Sequence, residues 1–212
     1  MVYSDDQLSR YLDGLVPERP DELQEMEAYA EENGFPIIGP AAGYYCYLTA
    51  RMAGARRIFE LGSGYGYSTA WFARAVQENG GGEVHHVVWD EELSRRARKH
   101  LAVLGYGNLV SYHVSEAVQR LREVDGPFDL IFNDINKDAY PVSLTVIEEK
   151  LRPGGVLIID NMLWSGRVFD ESNEEESTQA IRETTRYIVN SDRWLGSVVP
   201  IRDGLLVAYF KE

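Results

Sequence analysis

Arg57-Ile-Phe-Glu-Leu-Gly-Ser-Gly-Tyr-Gly66 decides the fold. Its first half is an apolar run with strand character, its second half is a glycine turn, and helical periodicity begins at Tyr67. A strand that ends in such a turn and opens a helix begins an α/β unit. The first turn of that helix offers free N–H groups to an anionic group. Taken alone the motif is weak, because a plain tight turn and a dinucleotide-binding loop also fit it. Glu60 just before the turn, and a turn of the form Gly-x-Gly-x-Gly followed by Tyr67-Ser68, favour a nucleotide-like cofactor with a carboxylate that Ser68 would bond.

Downstream the pattern alternates. Helix 67–78, strand 83–89, helix 91–104, strand 108–113, helix 115–123, strand 127–133, helix 139–151 and strand 155–160 follow in order. Near-continuous apolar runs such as Val156-Leu-Ile-Ile159 predict a parallel sheet covered on both faces. Beyond Asp160, Trp164-Ser-Gly-Arg-Val168 reads as loop and Asp170-Glu-Ser-Asn-Glu-Glu-Glu-Ser177 as an acidic surface loop before a helix over 177–190. Two extended runs, 194–201 and 205–211, joined by Arg202-Asp203-Gly204, predict a closing antiparallel hairpin. Upstream, helices over 4–12, 20–33 and 39–53 precede the first strand, so residues 1–35 read as a helical extension of a single domain spanning 1–212.

A formal charge of −13 argues against a polyanionic partner, and Arg95-Arg-Ala-Arg-Lys-His100 reads as the solvated face of a helix. No apolar run has the length of a membrane span, and Met1-Val-Tyr-Ser-Asp-Asp-Gln shows no targeting pattern, so the cytoplasm is the expected location. The lone Cys46 fits a reducing compartment and reads as a small buried hydrophobe. Tyr44-Tyr-Cys-Tyr47 and the N-terminal helices offer surface for a homodimer, although such aromatics more often serve the core.

In an open parallel sheet, ligands bind beyond the carboxyl ends of the strands. The glycine turn falls at that edge, and so do two polar strand ends. Asp134-Ile-Asn-Lys137 closes one strand and Asp160-Asn161 closes another. Carboxylate and amide oxygens suit magnesium, calcium or manganese, with Asp134, Asp160 and Asn161 as three protein ligands. Positions left open on such a cation would accept a vicinal diol. Coordination would acidify one hydroxyl, and Lys137 is the amine placed to take its proton before in-line methyl transfer from a sulfonium. Asp90, past the second strand, is a candidate for ribose hydroxyls. Glu116, past the third, is a candidate for the exocyclic amine of an adenine. Both acids fit equally well as helix N-terminal residues that favour the macrodipole.

Phe132-Asn-Asp-Ile-Asn-Lys-Asp-Ala-Tyr140, Ile159-Asp-Asn-Met-Leu-Trp-Ser-Gly-Arg-Val168 and Arg202-Asp-Gly-Leu205 resemble the signature segments of the cation-dependent O-methyltransferases. That family includes the caffeoyl-CoA and catechol O-methyltransferases. The resemblance runs from about Ile38 to the C terminus, with three motifs in order. It implies a Rossmann-like, seven-strand class I methyltransferase sheet with an antiparallel C-terminal hairpin. It also implies S-adenosylmethionine as donor and a divalent cation, usually magnesium. By the same resemblance Asp134, Asp160 and Asn161 are the ligands, with Asp134 also beside the donor, and Lys137 is the base. Gly62, Ser63, Gly64 and Ser68 line the methionine end, and Trp164 and Asp203 border the acceptor.

Three places depart from the family pattern. Val88 stands where an acid usually binds the ribose, Ser115-Glu-Ala117 replaces Gly-Asp-Ala, and Pro40-Ala-Ala-Gly43 replaces a segment that often carries a glutamate. The leading expectation is an O-methyltransferase acting on a small hydroxylated aromatic. A tRNA hydroxyuridine methyltransferase is disfavoured by the chain's acidity. The remaining alternative is a non-catalytic binding protein with weakened donor binding, which rests on Val88 alone.

Overall fold

The computed structural model describes residues 5–211. The start of the helix expected over 4–12, and most of the N-terminal stretch read for targeting, lie outside the described residues. Strands β1 (Arg57–Leu61), β2 (Glu83–Val88), β3 (Val110–Val114), β4 (Phe128–Asn133), β5 (Leu151–Ile159), β6 (Trp194–Val199) and β7 (Leu205–Phe210) form one seven-stranded sheet. Its order is β3-β2-β1-β4-β5-β7-β6. The first five strands run parallel, and β7 lies antiparallel between β5 and β6, as the hairpin signal predicted. Chain order reverses between β1 and β4, which opens a crevice at their carboxyl ends.

Helices α1 (Asp5–Gly14), α2 (Asp21–Asn33) and α3 (Gly39–Met52) precede the sheet, and α4 (Tyr67–Glu78), α5 (Glu91–Val103), α6 (Ala117–Glu123), α7 (Tyr140–Lys150) and α8 (Glu176–Asn190) follow its strands. Side-chain alternation along β1 divides the core. Ile58 faces a layer that holds Met26, Cys46, Trp71 and Leu101, whereas Phe59 and Leu61 face one that holds Leu121, Leu144 and Ile181. Helix α2 belongs to the first layer through Leu23, Met26 and Ala30, and Tyr65 Oη donates to the Met26 carbonyl at 2.8 Å. Cys46 is fully buried, as a small hydrophobe would be.

The differences from the sequence reading fall at element ends. Strand β2 stops at Val88, and β5 begins at Leu151 because that residue pairs with Phe128 ahead of a register shift. The segment Trp164–Phe169 is not open loop but a pair of short 3-10 turns joined through left-handed Ser165 and Gly166. Among the described residues, no helix is long and apolar enough to cross a membrane.

Candidate active site

Beyond the ends of β1, β4 and β5 lies a cleft of about 570 Å³ whose walls include Gly62, Gly64, Asp134, Lys137, Asp160, Asn161 and Trp164. Beside it a recess of about 30 Å³ is lined by Gly62, Ser63, Gly64, Ser68 and Asp134. The structure thus gathers the glycine turn and both polar strand ends into one place. Gly62 is what permits this. A Cβ there would lie 2.3 Å from the Asp134 carbonyl oxygen, so only glycine lets the turn after β1 touch the end of β4. Ser63 ties the same turn to β2: its N–H donates to the Val87 carbonyl and its Oγ accepts the Val87 N–H, each at 2.9 Å.

Glu60 does not reach the cleft. On β1 it shares the face of Ile58, so its carboxyl is buried under α4, where Thr69 Oγ1 donates to its Oε2 at 2.5 Å. Thr69 Oγ1 also lies 3.0 Å from His86 Nδ1, which extends a buried polar chain behind the glycine turn. Burial raises the Glu60 carboxyl to about 7, against the hydroxyls of Ser68, Thr69 and Ser63 and with a small push from Asp134. Glu60, expected among the cofactor-binding residues, lines neither the cleft nor the recess and braces the turn from behind through Thr69.

The sign of its effect on stability follows. A carboxyl raised in the folded state stabilises it below the unfolded value of 4.5, and this contribution is lost as pH rises through about 7. The loss is on the order of 3 kcal/mol. In the ligand-free protein Glu60→Gln is expected to flatten that part of the pH dependence, read by denaturant unfolding at pH values on either side of the window. An unchanged slope in the variant would assign the effect to other groups.

Asp90 and Glu116 serve as helix caps. Asp90 Oδ1 accepts the Leu93 N–H at 2.9 Å at the start of α5, and Glu116 Oε1 accepts the Val118 N–H at 2.9 Å at the start of α6. Neither lines the cleft. The reason for Asp90 is geometric: β2 ends at Val88, so the alternation that would carry a side chain to the same face does not extend to residue 90. In their place the cleft wall carries Val88, Ser115 and Trp89. Sequence reasoning missed Trp89, whose indole is 70% exposed at the strand end and offers a flat apolar face. An aromatic directly after a buried strand was the signal available.

The polar strand ends form a compact charge group. Lys137 Nζ donates to Asp134 Oδ1 at 2.8 Å and to the Ile135 carbonyl at 3.1 Å, with the Tyr140 and Trp164 rings 5.1 and 5.9 Å away. Burial, then the nearby Asp134, push the Asp160 carboxyl well above the usual carboxylate range. Burial also raises Asp134, against the attraction of Lys137 and Arg202. Asp203 does not line the cleft but orients a residue that does. Its Oδ2 accepts from Asn161 Nδ2 at 3.1 Å and its Oδ1 accepts the Ser165 N–H at 2.6 Å. With its Nδ2 held this way, Asn161 keeps its carbonyl oxygen for another partner. Asn161, Trp164 and Ser165 all have positive φ, at 58°, 49° and 52°, a concentration of unusual backbone that typically accompanies function.

Among the described residues, no group of three or more His, Cys, Asp or Glu side chains is assembled for a metal. Two carboxylates and one amide oxygen nevertheless suit a hard divalent cation, and two carboxyls raised by burial, Asp160 further by the Asp134 charge, would both gain from one.

Comparison with known proteins identifies the family. The chain is 31% identical over 181 residues to a catechol O-methyltransferase of Niastella koreensis, covering 82% of this chain and 81% of that one. Among solved structures, the O-methyltransferase TomG of Streptomyces achromogenes in complex with SAM superposes with a TM-score of 0.87 at 27% identity, covering 97% of this chain and 96% of that one. An O-methyltransferase of Bacillus cereus in complex with SAH gives a TM-score of 0.87 at 26% identity, covering 97% of each chain. The family model for O-methyltransferases matches residues 17–210, so the chain belongs to the O-methyltransferase family and is an S-adenosylmethionine-dependent enzyme of that family.

Proposed function

We propose that this enzyme methylates one hydroxyl of a vicinal diol on a small aromatic, held at Asp134, Asp160 and Asn161 through a divalent cation, with magnesium favoured and calcium or manganese as alternatives. The observation that carries the reading is the pair of buried, raised carboxylates at neighbouring strand ends, with Lys137 Nζ 2.8 Å from Asp134. A divalent cation, when bound, supplies Lewis-acid lowering of the pKa of a coordinated hydroxyl.

The rest belongs to the chain's own residues. The glycine turn would hold the donor, with Ser63 and Ser68 bordering a recess suited to its methionine end and Trp89 offering a flat face suited to its purine. Trp164 walls the acceptor. Lys137 would first give its own proton to solvent and then, as the neutral amine, would take the hydroxyl proton at Nζ; the acceptor oxygen would form its bond to the methyl carbon as the carbon–sulfur bond of the sulfonium breaks, leaving a thioether. For this Lys137 must exchange its bond to Asp134 Oδ1, the oxygen a cation would claim, for one to the acceptor. Asp203 keeps Asn161 facing the cleft throughout.

The test is calorimetric titration of S-adenosylmethionine with and without magnesium, followed by turnover of catechol. Donor binding with magnesium-dependent methyl transfer to the diol supports the reading. Methyl transfer that is indifferent to magnesium, calcium, manganese and chelator would overturn the cation's part. Donor binding with no transfer to any diol of a panel would overturn the acceptor class.

A further inference from the structure

Arg202 sits at the tip of the β6–β7 hairpin and lines the same cleft as Lys137, Asp160 and Trp164. The tip is a turn closed by the Gly204 N–H donating to the Ile201 carbonyl at 2.9 Å, and Arg202 occupies its first central position with φ of 53°. Glycine is the usual solution there, and a long charged side chain in that conformation is uncommon. Backbone strain of this kind is retained where the side chain has work to do.

Among the described residues the Arg202 guanidinium has no hydrogen-bond or ion-pair partner, although it is near enough to Asp134 and Asp160 to draw both carboxyls down. The neighbouring Asp203 directs its two oxygens to Asn161 and Ser165. A planar fork of N–H donors is therefore exposed to the cleft and uncommitted.

We infer that Arg202 is a specificity-determining residue that binds a carboxylate on the acceptor, so that the preferred substrate is a small aromatic acid carrying the vicinal hydroxyls. A guanidinium matches a carboxylate bidentately, which an isolated point charge does not. The need for a dedicated cation follows from the rest of the molecule, because a chain of formal charge −13 repels anions that lack a local partner. The cleft of about 570 Å³ is shared with the donor, which favours a compact acid over a large conjugate.

The inference rests on the acceptor reading given above, and the experiment separates the two. Protocatechuate and catechol differ by one carboxylate. Their affinities are compared by calorimetry in the wild type, Arg202→Gln and Arg202→Gly, with S-adenosylhomocysteine and magnesium present, and turnover of each is measured in parallel. Glycine suits the backbone at this position, so Arg202→Gly guards against a folding defect in the glutamine variant.

The expected result is that the wild type prefers protocatechuate by about 10- to 100-fold, the size of a hydrogen bond to a charged group, and that both variants lose the preference while holding catechol as before. Equal affinities in the wild type, or an equal loss for both ligands in the variants, would overturn the inference and leave Arg202 as a counter-charge for the two aspartates. An Arg202-dependent preference without methyl transfer would keep the inference and overturn the proposed reaction. Binding of neither diol would overturn both.

Discussion

Lys137→Ala is expected to lower kcat by roughly 10²- to 10⁴-fold, the usual contribution of a positioned proton acceptor. The ammonium is held by Asp134 Oδ1 and the Ile135 carbonyl at the edge of the cleft, so its removal takes away the amine nearest the proposed metal carboxylates. It also deletes the partner that offsets the burial of Asp134, so ligand-free stability should fall as well. Lys137→Arg separates the two effects. A guanidinium restores the ion pair but stays protonated, and therefore recovers stability without turnover. The measurements are kcat at saturating donor and acceptor, magnesium affinity, and unfolding in denaturant. An alanine variant that retains wild-type kcat would remove Lys137 from the chemistry.

Asp160→Asn is expected to act in opposite directions on two properties. The wild-type carboxyl is raised by burial and by the Asp134 charge, so an isosteric amide relieves repulsion and should stabilise the ligand-free protein by roughly 1–3 kcal/mol above neutral pH. Its carbonyl oxygen can still accept the Asn161 N–H now bonded at 2.8 Å, and the Tyr140 hydroxyl bonds the Asp160 main-chain carbonyl, which the substitution leaves in place. The amide carries no charge, so magnesium affinity should fall by at least about 100-fold, more than is typical for losing an outer-shell partner. Methyl transfer should fall with it. A variant less stable than the wild type without ligand, or one with unchanged magnesium response, would contradict the assignment of Asp160 as a ligand that stores repulsion.

The sheet was legible because its strands announce themselves twice, once by apolar runs and once by the polar residues that end them. Leu61-Gly62, Asn133-Asp134 and Ile159-Asp160 each mark a strand's carboxyl end, and those ends converge in the structure. The acids near the donor crevice were less legible. An aspartate between a strand and a helix looks the same whether it binds a ribose or caps the helix. Asp90 caps because its backbone is extended and its carboxylate turns back to Leu93, a property of dihedral angles that no residue name carries. Glu60 looked like a ligand by proximity along the chain and was removed from the cleft by the two-residue alternation of its strand. Arg202 and Trp89 were missed for the converse reason. Each stands beside a residue that drew attention, and only the folded backbone shows which of the two neighbours faces the cleft.

The bare α-carbon of Gly62 has a thermodynamic consequence. Because the glycine turn presses directly on the main chain of Asp134, the proposed donor and cation would share a wall with no side chain between them to absorb displacement. Occupancy on either side biases the position of the same few atoms. Linkage then requires reciprocity: any factor by which a cation on the carboxylates tightens the sulfonium donor must equal the factor by which that donor tightens the cation. The spent thioether product, lacking the positive charge, is free to return a different factor, so with the proposed cation in place release of product and loosening of that cation would become parts of a single energetic cycle.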